Sequence, residues 1–351
     1  MSTPTKQTLI PQIQYLRGFA VILVVLAHLH QSNARFFDTT LLGDFAYFGF
    51  AGVDVFFVIS GYIIHRLYGD LQGLNFQFIL QRVNRIYPLY WIFTGAALIG
   101  YFAIGDALTL NASELDIFGS LSLVPTGQTP ILMVGWTLTH ELYFYAAYAA
   151  WLALPRMARL WAPAVWGVLT ILAAAFFPVT TSPWLTLALS PFNLLFLAGA
   201  LLAHWDNRLH SLRWIALILT GAGTLYAMLS LNGSGLEGLE NPVARVALLA
   251  PFAIGCVAAT LAWKPKMPAW VIHIGNWSYA IYLSHILLIG LLARFTPPIL
   301  GDNIWTSLTF YISGLLGCIA LGWIAHKLLE QPMLHAGKAG IRFLFSKPSS
   351  N

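Results

Sequence analysis

Charge is what this chain has least of. Only 18 Lys and Arg and 13 Asp and Glu occur in 351 residues, so 9% are charged, where a soluble domain carries about 25%. That shortage excludes a soluble globular domain. Cysteine is almost missing: Cys256 and Cys318 both lie in apolar runs, which gives neither a disulfide framework nor a thiolate metal site. A net charge of +5 without any basic block is not a nucleic-acid footprint, so no nucleic-acid partner is expected. No internal repeat, low-complexity tract or shift in composition marks off a second domain. There is no Walker loop, no GxSxG elbow and no zinc-type His/Cys cluster. His28 and His30 point to different faces of a helix, so they do not form a metal pair. No metal and no permanently bound cofactor is expected.

What the chain has instead is apolar length. It is 58% hydrophobic, with a mean hydropathy of +0.72. Ten apolar runs are long enough to cross a bilayer: roughly 12–31, 45–65, 87–106, 131–153, 160–177, 184–204, 212–231, 243–263, 272–294 and 304–326. The fold class is therefore all-α, a polytopic membrane protein forming one domain over 1–351. The first run is followed by no small-residue cleavage site and reads as a retained helix. Pro191 is predicted to bend the sixth span and Pro251 the eighth.

The cations fix an orientation. With the N-terminus placed in the cytoplasm, only Arg35, Arg245 and Arg294 fall outside; the other fifteen of the 18 fall inside. The external segments take most of the acids, including Asp38, Asp44, Glu114, Asp116, Glu237, Glu240 and Asp302. Both termini are then cytoplasmic.

Against this background the buried ionisable residues stand out. Arg17 and His28 lie in the run QYLRGFAVILVVLAHLH with ten uncharged residues between them. On a helix that spacing is roughly 16 Å, about half a hydrocarbon core. Asp54, Glu141 and His285 fall at a similar depth in the second, fourth and ninth spans. One such group is often a satisfied core residue. Four at one level point to a shared cavity, although a proton relay gives the same pattern.

The segment 75–86 reads as an amphipathic helix at the inner surface, with Asn75 as its N-cap and Phe76, Ile79, Leu80, Val83 and Ile86 on one face. Arg82 and Arg85 are one turn apart, so their guanidinium groups can converge on a polyphosphate; anchoring to lipid headgroups is the simpler alternative. The longest external segment, about 107–130, is long enough to cap a cavity from outside, which the sequence does not itself show. Asn111-Ala112-Ser113 in it fits the glycosylation pattern, too short a match to weigh. Gly199 with Ala203, or Gly221 with Gly223, offers close helix approach. Glu330 is left to pair with a cytoplasmic arginine or to stay solvated.

Taken together, the motifs resemble the integral membrane acyltransferase-3 family. The pieces are Tyr15-Leu16-Arg17-Gly18 with His28, Gly52-Val53-Asp54-Val55-Phe56-Phe57-Val58-Ile59-Ser60-Gly61-Tyr62, and Arg82-Val83-Asn84-Arg85-Ile86-Tyr87-Pro88-Leu89-Tyr90. They continue with Trp136-Thr137-Leu138, Glu141 and Phe144-Tyr145, then Ser278-Tyr279, Tyr282-Leu283 and His285, and last Glu330 with Pro332. The resemblance runs along nearly the whole chain, in order. It implies ten core helices, an acyl-CoA donor from the cytoplasm, most simply acetyl-CoA, and an acceptor reached from the far side. It implies a bacterial inner-membrane protein resembling short members, without an added esterase-like domain, that O-acetylate exopolysaccharide or lipopolysaccharide. The expected partners are acyl-CoA, a glycan or lipid-linked sugar, the bilayer, and the machinery of polysaccharide synthesis.

The mechanism expected on this reading binds the phosphates of acyl-CoA on Arg82 and Arg85, with Arg17. His28 acts as general base on the acceptor hydroxyl, oriented by Asp54 or Glu141, with His285 as a second candidate base or an acceptor ligand. Tyr145 and Tyr282 are candidate donors to the oxyanion or the sugar. Ser60 and Ser278 are candidates for a covalent acyl-enzyme. The competing class is a proton-coupled transporter or lipid-linked sugar flippase. It explains the buried groups equally well, but usually brings repeat symmetry and does not need clustered arginines. A scaffold in a polysaccharide complex leaves those groups without a role.

Overall fold

In the computed structural model the described residues are 10–71, 73, 76–104, 116–176 and 182–345; no strand occurs among them. The helices are α1 (Pro11–Phe36), α2 (Ala51–Tyr68), α3 (Phe76–Ile104), α4 (Ile117–Ser122), α5 (Gly135–Ala153), α6 (Arg156–Phe176), α7 (Pro183–Ala188), α8 (Phe192–His204), α9 (Arg213–Ser234), α10 (Pro242–Trp263), α11 (Ala269–Leu300), α12 (Ile304–Ala325) and α13 (Gln331–Phe345). Apolar runs this long become helices because lipid offers the backbone no hydrogen-bond partners. Starts are set locally. Asn241 and Asn303 each accept two backbone N–H bonds at the heads of α10 and α12, and proline occupies the first turn of α1 and α10.

Nine helical runs among the described residues are long and apolar enough to cross a membrane, which makes the chain an all-α polytopic membrane protein. α5, expected as the fourth span, is not one of the nine. Its first two turns hold Thr137, Thr139, His140 and Glu141, which lower its hydropathy. Asn75, Glu114, the Asn111-Ala112-Ser113 pattern, Lys6 and Lys347 lie outside the described residues.

Two elements differ from expectation. The amphipathic segment and the third span form one helix, α3, with Pro88 inside it. Its first turns do not lie on lipid alone, for Phe78 is buried against Tyr68, Tyr145 and Tyr148. Pro191 does more than bend the sixth span: it separates α7 from α8, because the residue before a proline avoids helical geometry. Pro251, by contrast, sits inside a continuous α10.

α1 packs along α11 and α2 along α8, while α6 and α9 turn most of their apolar side chains outward. The α2–α8 approach depends on Gly61 and Gly199. A Cβ at either would strike the backbone carbonyl of Phe196 or Val58. Gly223 meets α10 in the same way, whereas nothing approaches Gly221.

Candidate active site

α1, α2, α3, α5 and α11 enclose a cavity of about 130 Å³. One end carries three arginines. Arg17 donates from Nε to Ser278 Oγ at 3.1 Å. Arg85 pairs with Glu330 and lies over the Tyr279 ring at 5.1 Å. Glu330 is also bonded to His326 Nδ1 at 2.7 Å, across the π-helical turn His326–Glu330 that precedes α13. Among the described residues Arg82 has no acidic partner. Its guanidinium is ringed by Tyr68, Phe78 and Tyr145 at 5.9–6.0 Å, and its Nε is buried without a hydrogen-bond partner. A buried N–H donor left unpaired costs about 1–3 kcal/mol. An anion in the cavity would remove that cost.

Further in, the lining turns to carboxylate and hydroxyl. Ser60 Oγ donates to Glu141 Oε1 at 2.7 Å, and the Tyr145 hydroxyl donates to the same oxygen. The Tyr282 hydroxyl meets Thr137 Oγ1 at 2.9 Å. Glu141 and Tyr145 share a face because they are four residues apart on α5. The structure therefore brings together Arg17, Arg82, Arg85, Glu141, Tyr145 and Tyr282, with Ser60 and Ser278, in one space.

His28 and His285 pair with each other behind this lining. His285 Nε2 is 3.3 Å from His28 Nδ1, and the ring centroids are 4.8 Å apart. His28 Nδ1 also lies 3.0 Å from the Val24 carbonyl, and His285 Nδ1 lies 2.6 Å from that of Tyr282. Carbonyls only accept, so both Nδ1 atoms carry the proton. His285 Nε2 then accepts from His28, and His28 Nε2 keeps a lone pair. Neither imidazole lines the cavity; Tyr282, whose ring is 5.6 Å from His285, stands between.

Two expectations need correction here. The four midplane groups do not share one cavity. Asp54 is fully buried and pairs with Arg245 of α10 at 3.0 Å, and Glu141 is held by Ser60 and Tyr145. Neither carboxylate is bonded to His28, whose orienting partners are Val24 and His285. Depth along a helix says nothing about azimuth, and azimuth decides who meets whom. Sequence reading also missed Arg245, His140 and His326. Arg245 was counted as an external cation; it lies in the first turn of α10, buried over the rings of Trp136 and Phe192. Its position inside an apolar run was the available signal.

The comparisons with known proteins agree with one another. The family model described as "Acyltransferase domain" matches residues 10–327. The exopolysaccharide production protein ExoZ of Rhizobium meliloti is 31% identical over 304 residues, covering 83% of this chain and 91% of its own. Acyltransferase MdmB of Streptomyces mycarofaciens is 25% identical, covering 94% of this chain and 93% of its own. The peptidoglycan O-acetyltransferase OatA of Listeria monocytogenes is 27% identical over 87% of this chain and 54% of its own. No solved structure matches the chain.

Proposed function

The chain belongs to the acyltransferase-3 family, and from that premise we propose that it moves an acyl group, most simply acetyl, from acyl-CoA to a hydroxyl of a cell-surface glycan or its lipid-linked precursor. The observation that carries this is the cavity with unpaired Arg82 at one end and a hydroxyl-rich, carboxylate-bearing interior at the other. On this reading the donor comes from the cytoplasm, where most of the cations were assigned. Arg82 and Arg17 take its phosphates, and Arg85, already neutralised by Glu330, contributes less. The pantetheine arm runs inward toward Tyr282.

His28 is the proposed base. Its Nδ1 proton is committed to Val24 and His285, which leaves Nε2 with the lone pair that a base needs. The acceptor oxygen then attacks the thioester carbonyl while its proton passes to His28. The tetrahedral intermediate collapses with loss of the CoA thiolate, which recovers the proton. Tyr282 or Tyr145 would donate to the oxyanion. For the imidazole to reach the hydroxyl, the Tyr282 ring must swing aside when substrate enters. The test is purified chain in nanodiscs, supplied with acetyl-CoA and glycan. His28→Gln should lower turnover by about 10²–10⁴-fold; undiminished transfer would remove His28 as base. Acetyl-CoA consumption that ignores the glycan altogether would end the acyl-transfer reading.

A further inference from the structure

A second cavity, of about 420 Å³, lies against the opposite face of α5. Thr137, Leu138 and Glu141 of that helix face the arginine cavity, while Trp136, Thr139 and His140 face this one. The rest of its wall is the segment from Asp116 to Pro130 together with α7.

Both of those wall segments are short helices broken by irregular backbone: α4 runs on into the non-helical stretch 123–130, and α7 stops at the break 189–191. The Ser120, Leu121 and Ser122 carbonyls accept hydrogen bonds from Tyr90, Trp91 and Tyr87 of α3. Trp91 is thirteen residues before the end of α3 at Ile104, so this backbone lies about 20 Å below that end. The break between α7 and α8 is held the same way. Asn193 donates to the Leu187 and Ala188 carbonyls, Trp166 donates to Ala188, and His140 Nε2 meets Ser190 Oγ at 3.1 Å. Non-helical backbone at membrane depth persists only where protein buries it or where it lines a watered cavity. Here two such segments, each pinned by side chains from a long helix, line the same space.

The chemistry of the lining selects an occupant. It offers an indole (Trp136, with Arg245 over its ring at 5.5 Å), a carboxylate (Asp116), an amide (Gln128) and hydroxyls (Thr126, Thr139), with no Lys or Arg among the described lining residues. A polyphosphate would meet a carboxylate and no countercharge. A lipid tail would face the Gln128 amide and the Asp116 carboxylate, although Asp116, Thr126 and Thr139 already have partners within the protein. A sugar satisfies both halves, placing its C–H face on the indole and its hydroxyls on the carboxylate and amide. The volume falls within the range of about 300–1,000 Å³ usual for small-molecule sites. The Phe57 ring lines the arginine cavity and also lies 6.3 Å from the Trp136 ring and 6.2 Å from that of His140. It is the partition between the two spaces.

We propose that this second cavity is the acceptor vestibule and binds a carbohydrate, with Trp136 as platform and Asp116 and Gln128 as hydroxyl partners. Calling the sugar an acceptor rests on the acyl-transfer reading, but its binding does not. The test uses the full chain in nanodiscs, without acyl-CoA, and saturation-transfer NMR on the methyl glycosides of glucose, galactose, mannose and N-acetylglucosamine. Transfer onto ring C–H protons is expected with the wild type. It should fall by about tenfold in Trp136→Leu, the equivalent of one stacked contact, and measurably in Gln128→Ala, whose side chain is exposed and leaves the fold intact. No transfer to any of the four sugars overturns the proposal, as does full transfer in the Gln128→Ala protein. Sugar binding that depends on Gln128 in a chain that transfers no acyl group would sink the earlier reading and leave the vestibule standing.

Discussion

Arg82 and Arg85 are one turn apart and do different things. Arg85 is spoken for by Glu330, while Arg82 keeps a buried donor free. Arg82→Gln should therefore raise the donor KM by about tenfold or more with kcat nearly kept, since what is lost is binding; initial rates against acetyl-CoA concentration check this. Arg85→Gln should act on stability instead. It strands a Glu330 side chain that is 1% exposed, and breaking such a pair costs about 3–5 kcal/mol. Adding Glu330→Gln should recover part of that in thermal unfolding, which a purely phosphate-binding arginine would not do. At this scale the sequence is legible for residue types. Arg17, His28, Asp54, Glu141 and His285 are conspicuous because ionisable groups are rare in apolar runs. Their pairings are not legible. His28 meets His285 across 257 positions, and Asp54 meets Arg245 across 191, with no local pattern to announce either.

Between helices, small residues set the spacing. Gly199 faces the Val58 carbonyl and the Tyr62 amide, so Gly199→Ala should force α8 off α2 and cost about 1–3 kcal/mol. Gly221→Ala, with nothing within 4 Å, should leave the melting temperature unchanged or slightly raised. Comparing the two midpoints in one detergent checks both. Hydropathy located the long helices, because twenty apolar residues have few other fates in a bilayer. It did not show that α3 would absorb the amphipathic segment, since Pro88 reads as a boundary and tertiary packing overrode it. Nor did it show the segment from Asp116 to Pro130 reaching inward. Its depth comes from Tyr87, Tyr90 and Trp91 on another helix, and their ring donors carry no signature of the carbonyls they bind.

Across the whole molecule, α5 and Phe57 keep two chemically opposite spaces apart, one cationic and one not. If the donor and the sugar come from opposite sides, that partition also keeps water from the thioester. Phe57→Ala should then raise acetyl-CoA hydrolysis in the absence of any glycan, measured as free thiol release; a hydrolysis rate equal to wild type would show that Phe57 is packing alone. The family resemblance in the sequence already implied one donor and one acceptor. Two compartments divided by a single helix could not be read from it, because alternate faces of α5 are assigned only when its neighbours are in place.

Glu330 has a consequence for how the molecule is made. Arg85 leaves the ribosome 245 residues ahead of the carboxylate that neutralises it. Until the turn that carries Glu330 is made, the nascent polypeptide holds an uncompensated cation at Arg85. An interrupted translation product therefore keeps an unneutralised guanidinium that only the C-terminal part of the polypeptide can pair.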